Sequence, residues 1–322
     1  MHRRRFLTTT VAAVAASGGH LAVASPGASL PIVDTHQHLW DLDRFSLPWL
    51  STVPAFLNRS FYLSDYLAAT RGLNVVKAIY LEVDVEPAQQ TDEARFVTSI
   101  CRDPKHPTVG GVISGRPESR GFKRYIDQFK DNTHIKGLRR LMESTPAGFC
   151  LQPQFIRSVQ YLGELGKHFE ITIQPTQLSD ALGLVTRCPE VRFVIDHCGT
   201  ADPKAFLSER ARGGQEPLHD ADRWKAGMSR LADQSNTVCK ISGIVANAPE
   251  GWETDQLAPV VDHCLDAFGP DRVMFGGDWP ACLLGARFDQ WVNALREIVA
   301  ARPTVQQRRL FHDNAIRFYR LT

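Results

Sequence analysis

Outside its N-terminus the sequence has no apolar run near the ~20 residues that a membrane-spanning helix needs, so no spanning helix is expected there. It also lacks clustered positive charge. Its 37 Lys and Arg face 35 Asp and Glu, and they are dispersed, which excludes the basic stripe of a nucleic-acid-binding surface. The seven cysteines (Cys101, Cys150, Cys188, Cys198, Cys239, Cys264 and Cys282) are odd in number and widely spaced, so neither a disulfide framework nor a zinc ribbon is expected. They read as small buried apolar residues, with one bridge in an oxidising compartment left open. Internal repeats and low-complexity tracts are missing as well. What remains is ordinary globular composition, 43% hydrophobic and 22% charged over 322 residues. A chain of that length buries roughly 75% of its unfolded surface without needing a staple.

The N-terminus reads as a targeting segment. Met1-His2-Arg3-Arg4-Arg5-Phe6-Leu7 precedes a mild, Ala-rich apolar stretch and then Ala22-Val23-Ala24. A charged start, an apolar middle and a small-x-small site define a secretory signal peptide, and Arg3-Arg4-x-Phe6-Leu7 resembles the twin-arginine type. Ser17, Gly18, Gly19 and His20 interrupt the stretch too much for a stable anchor. The expectation is cleavage after Ala24, engagement of the twin-arginine export machinery and a bacterial periplasmic or exported location. Cleavage removes three arginines and no acid, turning a formal charge of +2 into −1.

From residue 25 onward one domain is expected. Short, mostly continuous apolar runs fall at residues 32–38, 75–84, 109–115, 135–141, 170–174, 192–197, 237–242 and 273–278. Such runs suit strands buried on both faces of a parallel sheet. Helical spacing fills the intervals, as in Phe155, Ile156, Val159, Leu162 and Leu165. Strand then helix, eight times over, predicts a single-domain α/β protein with the (β/α)8 architecture of a TIM barrel. A doubly wound sheet would carry a Gly-rich loop after its first strand, and Thr35-His36-Gln37-His38-Leu39-Trp40 stands there instead. The long charged segment 200–220 is expected to act as a lid.

In a barrel, chemistry comes from the C-terminal ends of the strands. Those ends supply His36 and His38, Glu82 and Asp84, Arg139 and Arg140, Gln174, His197, Lys240 and Ser242, and Asp278. His36 and His38 are two apart and share a face. Singly, each has a bland reading: a hydrogen-bonded core histidine, a loop-capping aspartate, or a solvated strand-end charge for Glu82 and Asp84. Arg139 and Arg140 are adjacent, so one of them at most should face the mouth. The combination of His-x-His, His197 and Asp278 carries the signal.

The segments Val33-Asp34-Thr35-His36-Gln37-His38-Leu39-Trp40, Ile195-Asp196-His197-Cys198-Gly199, Cys239-Lys240-Ile241-Ser242-Gly243 and Met274-Phe275-Gly276-Gly277-Asp278-Trp279-Pro280 resemble the amidohydrolase-related TIM-barrel metal-dependent hydrolases. The likeness runs from about Pro31 to the C-terminus and is greatest to the branch that opens sugar lactones and pyrone lactones. It implies His36, His38, His197 and Asp278 as the site. Two-metal members add a carboxylated Lys or Glu and a further His where this sequence has Arg139/Arg140 and Gln174, which are unsuited as ligands and argue against a binuclear centre.

The expected function is hydrolysis of a lactone, with Asp278 accepting a proton from water and the three histidines orienting water and carbonyl. His36, His38, His197 and Asp278 can hold one zinc or manganese ion, and a metal-free route stays open beside it. Lys240, Arg139, Arg140 and Gln174 are expected at the substrate's polar groups, and Trp40 and Trp279 as an apolar wall. Two other readings compete: a metal-dependent non-oxidative decarboxylase on the same barrel, and an exported binding protein without turnover.

Overall fold

The computed structural model describes residues 30–322, so the targeting segment and its cleavage site lie outside the described residues. Eight parallel strands pair in chain order: β1 (Ile32–Gln37), β2 (Val75–Leu81), β3 (Thr108–Ser114), β4 (Ile135–Leu141), β5 (His168–Thr172), β6 (Phe193–Ile195), β7 (Thr237–Ile241) and β8 (Val273–Phe275). Just past the short β8 the sheet closes on β1. Asp278 N donates to His36 O and His38 N donates to Trp279 O, each at 2.8 Å. The TIM barrel expected from the sequence is present.

The seam is stitched by side chains as well. Asp34 on β1 accepts from Gly277 N at 2.7 Å, from His36 N at 3.0 Å and from Tyr66 OH at 2.8 Å. Thr35 Oγ1 donates to Phe275 O at 2.6 Å. This close approach requires glycine at 276 and 277. A Cβ on Gly276 would stand 2.9 Å from the Cβ atoms of His36 and Ser242, and one on Gly277 would stand 2.2 Å from the Phe288 ring.

Helices cover the barrel with the faces their spacing predicts. The helix Pro153–Glu164 opens with proline, whose missing N–H costs nothing in a first turn, and buries Phe155, Val159 and Leu162. The helix Ala221–Ala232 is capped by Asp220, which accepts from Arg223 N at 2.9 Å and buries Trp224 and Met228 behind it. The main apolar core lies between strands and helices. A smaller one fills the barrel's lower end, where Val33, Ile79, Leu81, Val112, Val194 and Met274 meet Ala315 and Tyr319 of the helix Asn314–Tyr319.

Above that apolar plug the interior turns ionic. Lys240 Nζ lies 2.5 Å from Glu170 Oε2, 3.0 Å from Asp196 Oδ1 and 3.3 Å from His36 Nδ1. Glu170 also accepts from Tyr319 OH at 2.8 Å and meets His168 Nε2 at 3.0 Å. Buried charges survive only when paired and hydrogen-bonded, and here two carboxylates share one ammonium. Burial works to raise both. Lys240 and His168 overcome it at Glu170 and hold that carboxyl well below the usual range, whereas Asp196 stays raised. Lys240 therefore belongs to the barrel interior, with no solvent exposure, and is not among the residues lining the cleft at the mouth, where the sequence placed it.

Candidate active site

Asp278 sits where β8 has ended, with a positive φ of 56° that directs its carboxylate across the mouth. Left-handed backbone at a non-glycine residue costs free energy and persists where the surroundings enforce it, here the seam bonds on either side. His197 has a φ of 52° and opens a left-handed turn through Cys198, Gly199 and Thr200. Gly243 makes room for it, since a Cβ there would lie 2.4 Å from His197 Nδ1.

Three imidazoles converge on one oxygen. Asp278 Oδ1 is 3.5 Å from His36 Nε2, 3.6 Å from His38 Nε2 and 4.0 Å from His197 Nε2. The other nitrogens are anchored. His38 Nδ1 faces Leu81 O at 3.0 Å and, because a carbonyl can only accept, donates to it. His197 Nδ1 pairs with Ser242 Oγ at 2.9 Å. His36 lies between two cations, with Lys240 at Nδ1 and Arg139 Nη1 3.1 Å from Nε2. Burial foremost, then Lys240 and the neighbouring histidines, hold its pKa well below the ordinary value, so it is a neutral imidazole. At Asp278 burial acts to raise the carboxyl, but His197, His38 and Arg139 outweigh it and keep the carboxylate ionised.

Arg139 is fixed rather than free. Its Nε meets Glu82 Oε1 at 2.7 Å, and its Nη2 donates to Glu82 O at 2.9 Å. Glu82 is buried in this pair, not a solvated strand-end charge. Beside it, Glu93 on the helix Gln90–Arg102 accepts from Val83 N at 2.8 Å, Tyr80 OH at 3.1 Å and Ser114 Oγ at 2.9 Å. Burial first, then the charge of Glu82, pushes Glu93 up to about 8.

Over this floor opens a cleft of about 580 Å³. One wall is apolar: Trp40, Trp49, Val53, Leu57 and Leu284. The other is polar: Asp84, Arg140, Glu143, Ser144 and Thr145. Both Arg139 and Arg140 line it, against the expectation of one at most; Arg140 reaches it from the rim, held by Glu118 at 3.1 Å. Trp40 lines it as expected, its Nε1 donating to Arg59 O. Trp279 instead packs edge-on against Phe61 and Tyr66 beneath the wall. Gln174 is taken up capping the turn Pro175–Gln177. Segment 200–220 contributes no lining residue; it folds on itself, Asp202 accepting from Leu218 N and His219 Nε2 accepting from Asp202 N. The stretch between β1 and the helix Leu63–Ala69 supplies the apolar wall in its place.

The donor chemistry suits one divalent cation. His36, His38 and Asp278 offer ligand atoms within 4.8 Å of one another, and His197 Nε2 stands 4.0 Å from Asp278 Oδ1. The Arg139 guanidinium beside His36 opposes a second ion, and Arg140 and Gln174 offer no ligand.

A barrel with imidazoles and a carboxylate at its strand ends has the layout of an enzyme active site. The sequence model described as "Amidohydrolase" matches residues 33–321, so the chain belongs to the amidohydrolase family. A curated relative, the L-fucono-1,5-lactonase of Burkholderia multivorans, is 28% identical over 298 residues, covering 90% of this chain and 96% of its own. A Burkholderia multivorans amidohydrolase crystallised with bound zinc superposes with a TM-score of 0.77 at 25% identity, covering 91% of this chain and all (100%) of its own. The 5-carboxyvanillate decarboxylase of Sphingomonas paucimobilis shares the fold at a TM-score of 0.63 and 15% identity, with 91% and 100% covered.

Proposed function

We propose that the protein hydrolyses a sugar-acid lactone at the mouth of the barrel. The observation that carries this reading is the approach of three imidazole Nε2 atoms to Asp278 Oδ1, within 3.5–4.0 Å, at the floor of the cleft. Hydrolysis needs an ionised acceptor beside a place for water, and Asp278 is held ionised by its cationic and imidazole neighbours. Water bonded to Asp278 loses a proton to it as the water oxygen attacks the ring carbonyl. The carbonyl carbon then releases the ring oxygen, and Asp278 returns the proton to that alkoxide. His38 and His197, anchored at Nδ1, turn their Nε2 atoms toward the place of the water beside Asp278. A cation held by His36, His38, His197 and Asp278 would supply Lewis-acid polarisation and lower the pKa of bound water. The two-sided cleft supports the sugar-lactone class: tryptophan and aliphatic side chains suit the C–H face of a sugar ring, and the opposite wall suits its hydroxyls. The lactonase relative, covering nearly both chains, supports the same choice.

Asp278→Asn should lower turnover by about 10²-fold or more with the thermal midpoint little changed, since the amide keeps the shape and loses the acceptor. Titration of the acid released from a panel of aldonolactones reads this directly. Release of carbon dioxide from aromatic acids, with no acid formed from any lactone, would overturn the proposal in favour of a decarboxylase.

A further inference from the structure

The seven cysteines are scattered in sequence, yet the fold gathers three of them. Cys198 lies in the left-handed turn after β6, Cys239 on β7 and Cys264 on the helix Thr254–Phe268, and their sulfur atoms all lie within 4.8 Å of one another. Each is fully buried. Burial alone means little for cysteine, which packs as a small apolar residue. Three thiols pointing at one spot from three separate elements is a different arrangement, and Cys101, Cys150, Cys188 and Cys282 stand outside it.

We propose that Cys198, Cys239 and Cys264 form a three-sulfur site for a soft monovalent cation, Cu(I), on the helix side of the barrel and separate from the histidine–aspartate mouth. The spacing fits. A planar site with metal–sulfur bonds of about 2.3 Å sets its sulfurs about 4.0 Å apart, so side-chain adjustments of under about an ångström suffice. Ligand number selects the ion. Zinc closes its shell with four ligands, and among the described residues no fourth His, Cys, Asp or Glu joins this group. Thiolate softness favours Cu(I), which accepts three ligands. The surroundings are soft as well: the Met228 thioether borders the turn, 2.7 Å from where a Cβ on Gly199 would stand. The Cys198 and Cys239 thiols both lie within reach of Lys240 O, at 3.8 and 3.9 Å, weak contacts that each thiol can exchange for a shared ion. Each thiol that coordinates as thiolate releases one proton to solvent.

The test is titration of reduced full-length protein with Cu(I) under anaerobic conditions against a chromogenic competitor, followed by copper-edge X-ray absorption. One retained equivalent per chain with three sulfurs near 2.3 Å is the expected result, together with a higher thermal midpoint, because an ion bound only by the folded state stabilises it. Cys264→Ser should retain less copper with two sulfurs. Copper surrounded by nitrogen, or no copper retained by the wild type, overturns the proposal. Should the variant fail to fold, the sulfur count of the wild-type protein still decides.

Discussion

Glu93 shows how much one buried carboxyl can reveal. Its acceptors are filled by Val83, Tyr80 and Ser114, and its neighbour Glu82 is already committed to Arg139, so a second negative charge has no cation to meet. With its folded pKa near 8 and an ordinary value of 4.5, the folded chain binds a proton in that window that the unfolded chain has released. Stability from this group is full below the ordinary value and declines as pH rises toward 8. Glu93→Gln fixes the neutral form, so the variant should gain stability relative to wild type between about pH 5 and pH 8; urea midpoints measured at both ends check it. Lys240 behaves oppositely. Lys240→Met would leave Glu170 and Asp196 without their shared cation and should cost about 3–5 kcal/mol in denaturant unfolding. Sequence position placed Lys240 at a strand end and so at the substrate. A lysine stem is long enough to turn inward, and no local signal reports that choice. Glu170 was legible in principle as a lone acid inside the apolar run Phe169 to Ile173, and Asp196 as the acid directly before His197.

At the scale of elements, the strands were readable because both of their faces are buried, leaving continuous apolar runs with few alternatives. Their C-terminal ends were less so. β6 stops at Ile195 and β8 at Phe275, short of the histidine and aspartate, because a left-handed turn and a Gly-Gly pair end the ladder before the functional residues appear. Of the connection after β1 only Trp40 was legible, since a wall built from turns and a short 3-10 segment (Pro48–Thr52) has no periodicity to detect. Segment 200–220 drew attention through its length and charge, but its polar groups satisfy one another. These assignments separate in experiment. Trp49→Ala should raise the Michaelis constant for a lactone several-fold, whereas shortening the exposed stretch 209–216 should leave both that constant and the thermal midpoint nearly unchanged. A raised constant in the shortened variant would restore the lid.

For the whole molecule, the decisive joint is the closure of β8 onto β1. Asp34 and Gly277 are 243 residues apart, and their contact is among the last a folding chain can make without a large loss of loop entropy. During refolding from denaturant, far-UV ellipticity should therefore recover before lactone turnover. Simultaneous recovery would mean that the seam is set early. The seam also holds the site, since His36 and His38 stand on one side of it and Asp278 on the other. A barrel halted one strand short of completion would carry every imidazole and no acceptor. For the cell that makes it, an unfinished copy is inert under the proposed reading, and turnover begins only when the ring is whole.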